Sequence, residues 1–116
     1  MPFIPNRHLA IVDKTKLTEY LLSPSHPAGW SKAAFLHRFG FDLSNSKRLE
    51  ESLLRHISNA DNAMAMETKF GTKYMIEAGL ETPDGRHPQI RSVWFIETGH
   101  EVPKLVTIVP LSRGGA

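Results

Sequence analysis

Residues 72–110, TKYMIEAGLETPDGRHPQIRSVWFIETGHEVPKLVTIVP, break into three apolar runs separated by two turns. TKYMIEAGLE, QIRSVWFIE and KLVTIVP are rich in β-branched and aromatic residues and short enough to be strands. Pro83, Asp84 and Gly85 form the first turn, in the order a tight turn favours. ETGHEVP forms the second. Two consecutive hairpins predict an antiparallel meander of three or four strands. In the middle strand Arg91, Val93 and Phe95 share one side, and Ile90, Trp94 and Ile96 the other. Both sides carry apolar bulk, so either both faces are covered or one supports a partner.

Upstream the period changes to that of a helix. Asp13 or Thr15 is placed to cap a short helix with Leu17, Tyr20 and Leu21 on one face. Pro24, Pro27 and Gly29 in SPSHPAG break it. Ser31 is a candidate cap for a second helix, KAAFLHRF, with Gly40 as its left-handed terminator. Ser44 or Ser46 caps a third, which carries Leu49, Leu53, Leu54 and Ile57 at helical spacing. Helices first and strands second predict an α+β fold.

A chain of 116 residues is expected to form one domain over 1–116, with 111–116 as a flexible tail. The absence of cysteine excludes a disulfide framework and a thiolate metal site. No H-x-x-x-H pair or carboxylate set at ligand spacing appears, so neither a metal nor a cofactor is expected. The P-loop and dinucleotide-binding patterns and the nucleophile elbow are missing too. A net charge of +2 permits a polyanionic partner without requiring one. No apolar run approaches the roughly 20 residues of a membrane span, so no membrane partner is expected and the location is expected to be cytoplasmic. A toxin delivered by a secretion machine need not carry its own export signal.

Within this frame a few side chains stand out. His26 and Lys32 flank a helix start, whose unpaired N–H groups and positive dipole end suit a phosphate. The plainer alternative is a connector turn with a solvated histidine. Arg91, mid-strand, either snorkels to the sheet edge or binds a phosphate or carboxylate bidentately. Thr107 either serves β-propensity or donates a hydrogen bond to a transition-state oxygen. Arg86, His87 and His100 lie in the two turns, where polar residues are also the ordinary surface.

KLTEYLLSPSHPAGWSKAAFLHRFGF, followed by the strands above, resembles the bacterial family called domain of unknown function 6883. The likeness runs from Lys16 to Pro110. It rests on Leu-x-x-Tyr-Leu-Leu, His-Pro-x-Gly-x-x-Lys-Ala, the Gly-Phe after the second helix, the strand Arg-x-x-Trp and the closing Leu-Val-Thr-x-x-Pro. A second likeness, of fold alone, is to the small ribonuclease toxins that include barnase, colicin D, colicin E5 and the RelE toxins. It implies metal-independent RNA cleavage by 2′-hydroxyl attack. His26 would be base or acid, Lys32 and Arg91 would neutralise phosphate, and Thr107 would donate a hydrogen bond. Trp30 or Trp94 would stack on a base, with Arg86 and His87 as further substrate contacts. The glutamate–histidine pair of the better-known members is absent. The expected partners are RNA and a small neutralising protein. The alternative is a non-catalytic protein-binding module: an antitoxin, immunity or adaptor protein.

Overall fold

The computed structural model describes residues 4–23, 25–27, 30–59 and 62–111. Helices precede a four-stranded antiparallel sheet of order β1-β2-β3-β4, an α+β architecture. The strands are β1 (Met64–Thr68), β2 (Gly71–Gly79), β3 (Gln89–Glu97) and β4 (Lys104–Pro110). The last two match the sequence expectation to the residue. β1 escapes it because Met-Ala-Met-Glu-Thr is exposed throughout and carries no alternation to detect. Register pairs Tyr74 with Trp94 and Ser92 with Ile108. The ladder continues past the predicted start of the tail, because the Leu111 N–H still donates to Gln89 O at 3.1 Å. Residues 112–116 lie outside the described residues.

Helix α1 (Lys14–Lys16) runs directly into a π-helical turn, Leu17–Leu21. Asp13 holds its N-cap position without a side-chain hydrogen bond. The Leu22 N–H reaches back to Leu17 O at 2.9 Å, and the widened turn sends Leu17, Leu21 and Leu22 all into the core. Tyr20 is left half-buried at the margin.

Helix α2 (Trp30–Arg38) begins one residue before the predicted cap, so Ser31 lies inside its first turn. Pro24 and Gly29 lie outside the described residues. The α2 C-terminus closes as expected. Gly40 has φ 103°, its N–H bonds His37 O, and the Phe41 N–H bonds Leu36 O at 3.0 Å. Phe41 and Leu36 are fully buried, which supplies the apolar contact of this terminator. Gly40→Ala should therefore cost about 1–2 kcal/mol, the penalty for a side chain in left-handed backbone. A Cβ there would also lie 3.0 Å from that of Pro83. A urea midpoint unchanged from wild type would contradict this.

Helix α3 (Ser46–Asn59) is not capped by Ser44 or Ser46. A 3₁₀ turn, Leu43–Asn45, precedes it, and Asp42 caps that turn. The Ser44 N–H donates to Asp42 Oδ1 at 2.9 Å, and the Asp42 N–H to Asn45 Oδ1 at 2.8 Å. The pattern Asp-Leu-Ser-Asn is thus a reciprocal capping box one turn early.

Leu17, Leu21, Leu36, Leu49, Leu53 and Ile57 from the helical layer share one core with Ile76, Ile90, Trp94, Leu105 and Ile108 from the sheet. The helices therefore cover a single face. On the other face the register sets Lys73 beside Phe95 and Lys104, Met75 beside Val93 and Thr107, and Glu77 beside Arg91 and Val109. None of these residues joins the core cluster. The two sheet edges also differ. Ile11 bridges in parallel to Lys104, donating to Pro103 O and accepting from the Leu105 N–H, and so covers the edge of β4. Among the described residues no strand pairs with the outer edge of β1. No described helix is long and apolar enough to cross a membrane.

Candidate active site

The Ile11 bridge starts α1 alongside β4, and the following turn then brings Tyr20 to that strand. The Tyr20 hydroxyl and Thr107 Oγ1 are 2.9 Å apart, joining residues 87 positions apart in the chain. The ring of His26 meets that of Tyr20 edge-on, with centroids 5.1 Å apart. The Lys16 ammonium lies 5.4 Å from the Tyr20 ring centroid. Tyr20 is therefore the hub of a cluster with His26, Thr107 and Lys16. Sequence reasoning placed Tyr20 on an apolar helix face and in the motif Leu-x-x-Tyr-Leu-Leu, and gave neither it nor Lys16 a role in the site.

A break in the ladder helps aim Thr107. Trp94 pairs with Leu105 and Val93 with Thr107, so Val106 is an extra residue in β4. Such a bulge bends its strand and redirects neighbouring side chains, and bulges recur beside active sites.

The remaining candidates stand as follows. Arg91 is on the sheet face of Thr107, diagonal to it, because Arg91 pairs with Val109. Its Nε and Nη2 both donate to Glu77 Oε2, at 2.9 and 2.5 Å. Nη1 is left for another acceptor. Lys32 sits half-buried in the first turn of α2, the helix whose Trp30 N–H donates to His26 O at 3.0 Å. Helix α2 packs against β4, the strand that carries Thr107. Trp30 is 58% exposed and has a face open to a ligand.

Trp94 has none. It is fully buried, and its indole N–H donates to Ser92 Oγ at 2.8 Å, so a base cannot stack on it. The alternation that puts Trp94 beside Ile90 and Ile96 turns it toward the helices. Arg86 and His87 are not brought to the cluster. The Arg86 guanidinium bonds Asp84 and Arg38 O and lies 4.4 Å from the Phe39 ring centroid. This clamps the β2–β3 turn to the C-terminal end of α2. Eight helical steps, about 12 Å, separate Arg38 at that end from Trp30. His87 is exposed, with φ 51°.

A second polar group lies inside the core. His56 Nε2 is 3.0 Å from Ala78 O, and His56 Nδ1 is 2.8 Å from Ser92 Oγ. The carbonyl can only accept, so Nε2 carries the proton and Nδ1 accepts from the Ser92 hydroxyl. The chain Trp94 to Ser92 to His56 to Ala78 is thus fully satisfied with a neutral imidazole. Burial holds the His56 imidazole below its ordinary value, against the opposing effect of the Ala78 and Ile90 carbonyls. The sign follows from proton binding: the unfolded chain binds this proton more tightly than the folded one. Stability is complete above about pH 6.5 and declines as pH falls through the depressed folded value. The urea midpoint of wild type should therefore drop between pH 7.5 and pH 5, and H56Q should flatten that part of the curve. An equal drop in both proteins would remove His56 as the cause.

A family model described as Domain of unknown function (DUF6883) matches residues 3–112. No curated protein matches the chain. A solved structure, the "Contact-dependent growth inhibition toxin - immunity protein complex from Klebsiella pneumoniae 342", contains a chain of similar fold. The TM-score is 0.70 at 15% identity, over 92% of this chain and 97% of that chain. At that identity the likeness is one of fold.

Proposed function

The chain belongs to the DUF6883 family, and we propose that it is a metal-independent endoribonuclease toxin held in check by a small neutralising protein. One observation carries this: the Tyr20–Thr107 hydrogen bond with His26 edge-on to Tyr20, which gathers an imidazole and two hydroxyls from three segments. The fold it shares with a chain of a toxin–immunity complex supports a toxin or immunity role and a protein partner.

The chemistry needs only side chains. His26 takes the proton of a ribose 2′-hydroxyl, whose oxygen attacks the adjacent phosphorus. The bond from phosphorus to the 5′-oxygen breaks, leaving a 2′,3′-cyclic phosphate and a 5′-oxygen that takes a proton from water and becomes a hydroxyl. Thr107 donates to a non-bridging oxygen as negative charge gathers there. Arg91, through Nη1, and Lys32 offset the phosphate charge. Trp30 is the exposed aromatic that stacks on a neighbouring base.

The test is purified protein incubated with RNA in excess chelator, beside growth of cells expressing it. The expected result is growth arrest and fragments ending in 2′,3′-cyclic phosphate. Intact RNA with folded protein, and unimpaired growth, would sink the proposal. The open sheet face favours a second reading, a non-catalytic antitoxin, immunity or adaptor module. Met64 and Met66 are about half exposed there, beside Met75, and methionine suits adaptable protein contacts. Under that reading expression is harmless and protects cells from a separate toxin.

A further inference from the structure

We propose that the cleft between α1 and the β3–β4 turn is a subsite for one nucleotide of single-stranded RNA, its base on Phe95 and its phosphate between Lys16 and Lys104. This rests on the ribonuclease reading and extends it to Lys16, Phe95 and Lys104, none of them a catalytic or substrate-binding candidate on sequence grounds.

The cleft has a volume of about 230 Å³, with Lys16, Phe95, Glu97, His100 and Lys104 among its walls. It is below the ~300–1,000 Å³ of sites that enclose drug-sized ligands, and so suits one base, with the ribose and phosphate left at its mouth. It forms where the Ile11–Lys104 bridge brings the chain that enters α1 to β4, so that Lys16 reaches its wall. The floor is Phe95, half-buried on the uncovered sheet face. Its ring packs closely over Gly71, where a Cβ would come within 2.7 Å of Phe95 Cζ. An anchored aromatic surface is what sequence-tolerant base stacking needs.

Charge and continuity point the same way. Lys16 and Lys104 outnumber the one carboxylate, Glu97, whose oxygen lies 3.9 Å from His100 Nε2. Lys16 belongs both to this cleft and to the Tyr20 cluster, and Val106 in its wall precedes Thr107. A strand crossing Tyr20 and Thr107 would enter the cleft with its next nucleotide. Two other cavities among the described residues fit an anion less well. A hollow of about 240 Å³ at the opposite side of the β3–β4 turn presents Glu67 and Glu97 with no lysine or arginine, and the space beside His56 is only about 70 Å³.

The experiment uses the whole chain and a labelled 2′-O-methyl RNA tetranucleotide, which binds without being cleaved. Phe95→Ala should weaken binding about 5–100-fold, the equivalent of one lost stack. Phe95→Leu, which keeps bulk over Gly71, should lose most of the same affinity. Lys104→Gln should lower the salt slope by about 0.7, the release from one single-strand phosphate contact. Wild-type affinity and slope in all three variants, or no binding by the wild type, would overturn the subsite. Cleavage by the wild type with unaffected variants would refute the subsite alone. Variant-sensitive binding by a protein that never cuts RNA would refute the ribonuclease reading and leave the subsite standing.

Discussion

Under the proposed ribonuclease mechanism, His26→Ala is expected to lower RNA cleavage by about 10²–10⁴-fold, the usual contribution of a positioned general acid or base. Thr107→Val is expected to lower it by about 10²–10³-fold, as loss of one oxyanion donor does. Both variants should stay folded, since His26 and Thr107 are only half-buried. Single-turnover cleavage at saturating RNA is the measurement, with circular dichroism to confirm folding. Tyr20→Phe separates the hub from its partners. It keeps the ring against His26 and removes the bond to Thr107. The stability cost should be about 0.5–1.5 kcal/mol. If Tyr20 orients Thr107, the double variant Y20F/T107V is no slower than Thr107→Val alone. Retention of cleavage within threefold in His26→Ala would take that histidine out of the mechanism.

Trp94→Ala is expected to cost about 3–5 kcal/mol, enough to unfold a large share of a marginally stable domain. The residue is fully buried, between Tyr74 on β2 and Leu105 on β4. Its removal leaves a cavity under the helices and strips Ser92 of a donor. Trp94→Phe should cost markedly less, because most of the volume stays and Ser92 can still donate to His56. Ser92→Ala probes the same chain from its centre. It leaves the Trp94 N–H and His56 Nδ1 without partners, at about 1–3 kcal/mol each. Urea unfolding at pH 7.5 ranks the three. A Trp94→Ala loss below 1 kcal/mol would mean that the ring is not the packing centre the structure makes it.

Tyr20 and Trp94 show where sequence patterns reach and where they stop. The π-turn shifts helical phase just enough to set Tyr20 at the core margin, and period counting sees only an apolar face. The same counting could not say which side of β3 the helices would cover, so Trp94 and Trp30 looked equally able to meet a base. The turns around Arg86 and His87 read as open polar surface, although Arg86 is spent on clamping its own loop.

What the order of residues settled alone was local. Strand alternation, turn chemistry, the Gly40 terminator and the helix-then-strand succession each depend on neighbours a few positions away, and all are written in the chain. What tertiary structure decided was every meeting between distant parts. These are the Ile11 bridge that seats α1 on β4, the bulge that aims Thr107, the contact of Tyr20 with residues on two other segments, and the enclosure of His56. They depend on which face is buried and how the layers pack, and no interval between residue types encodes that.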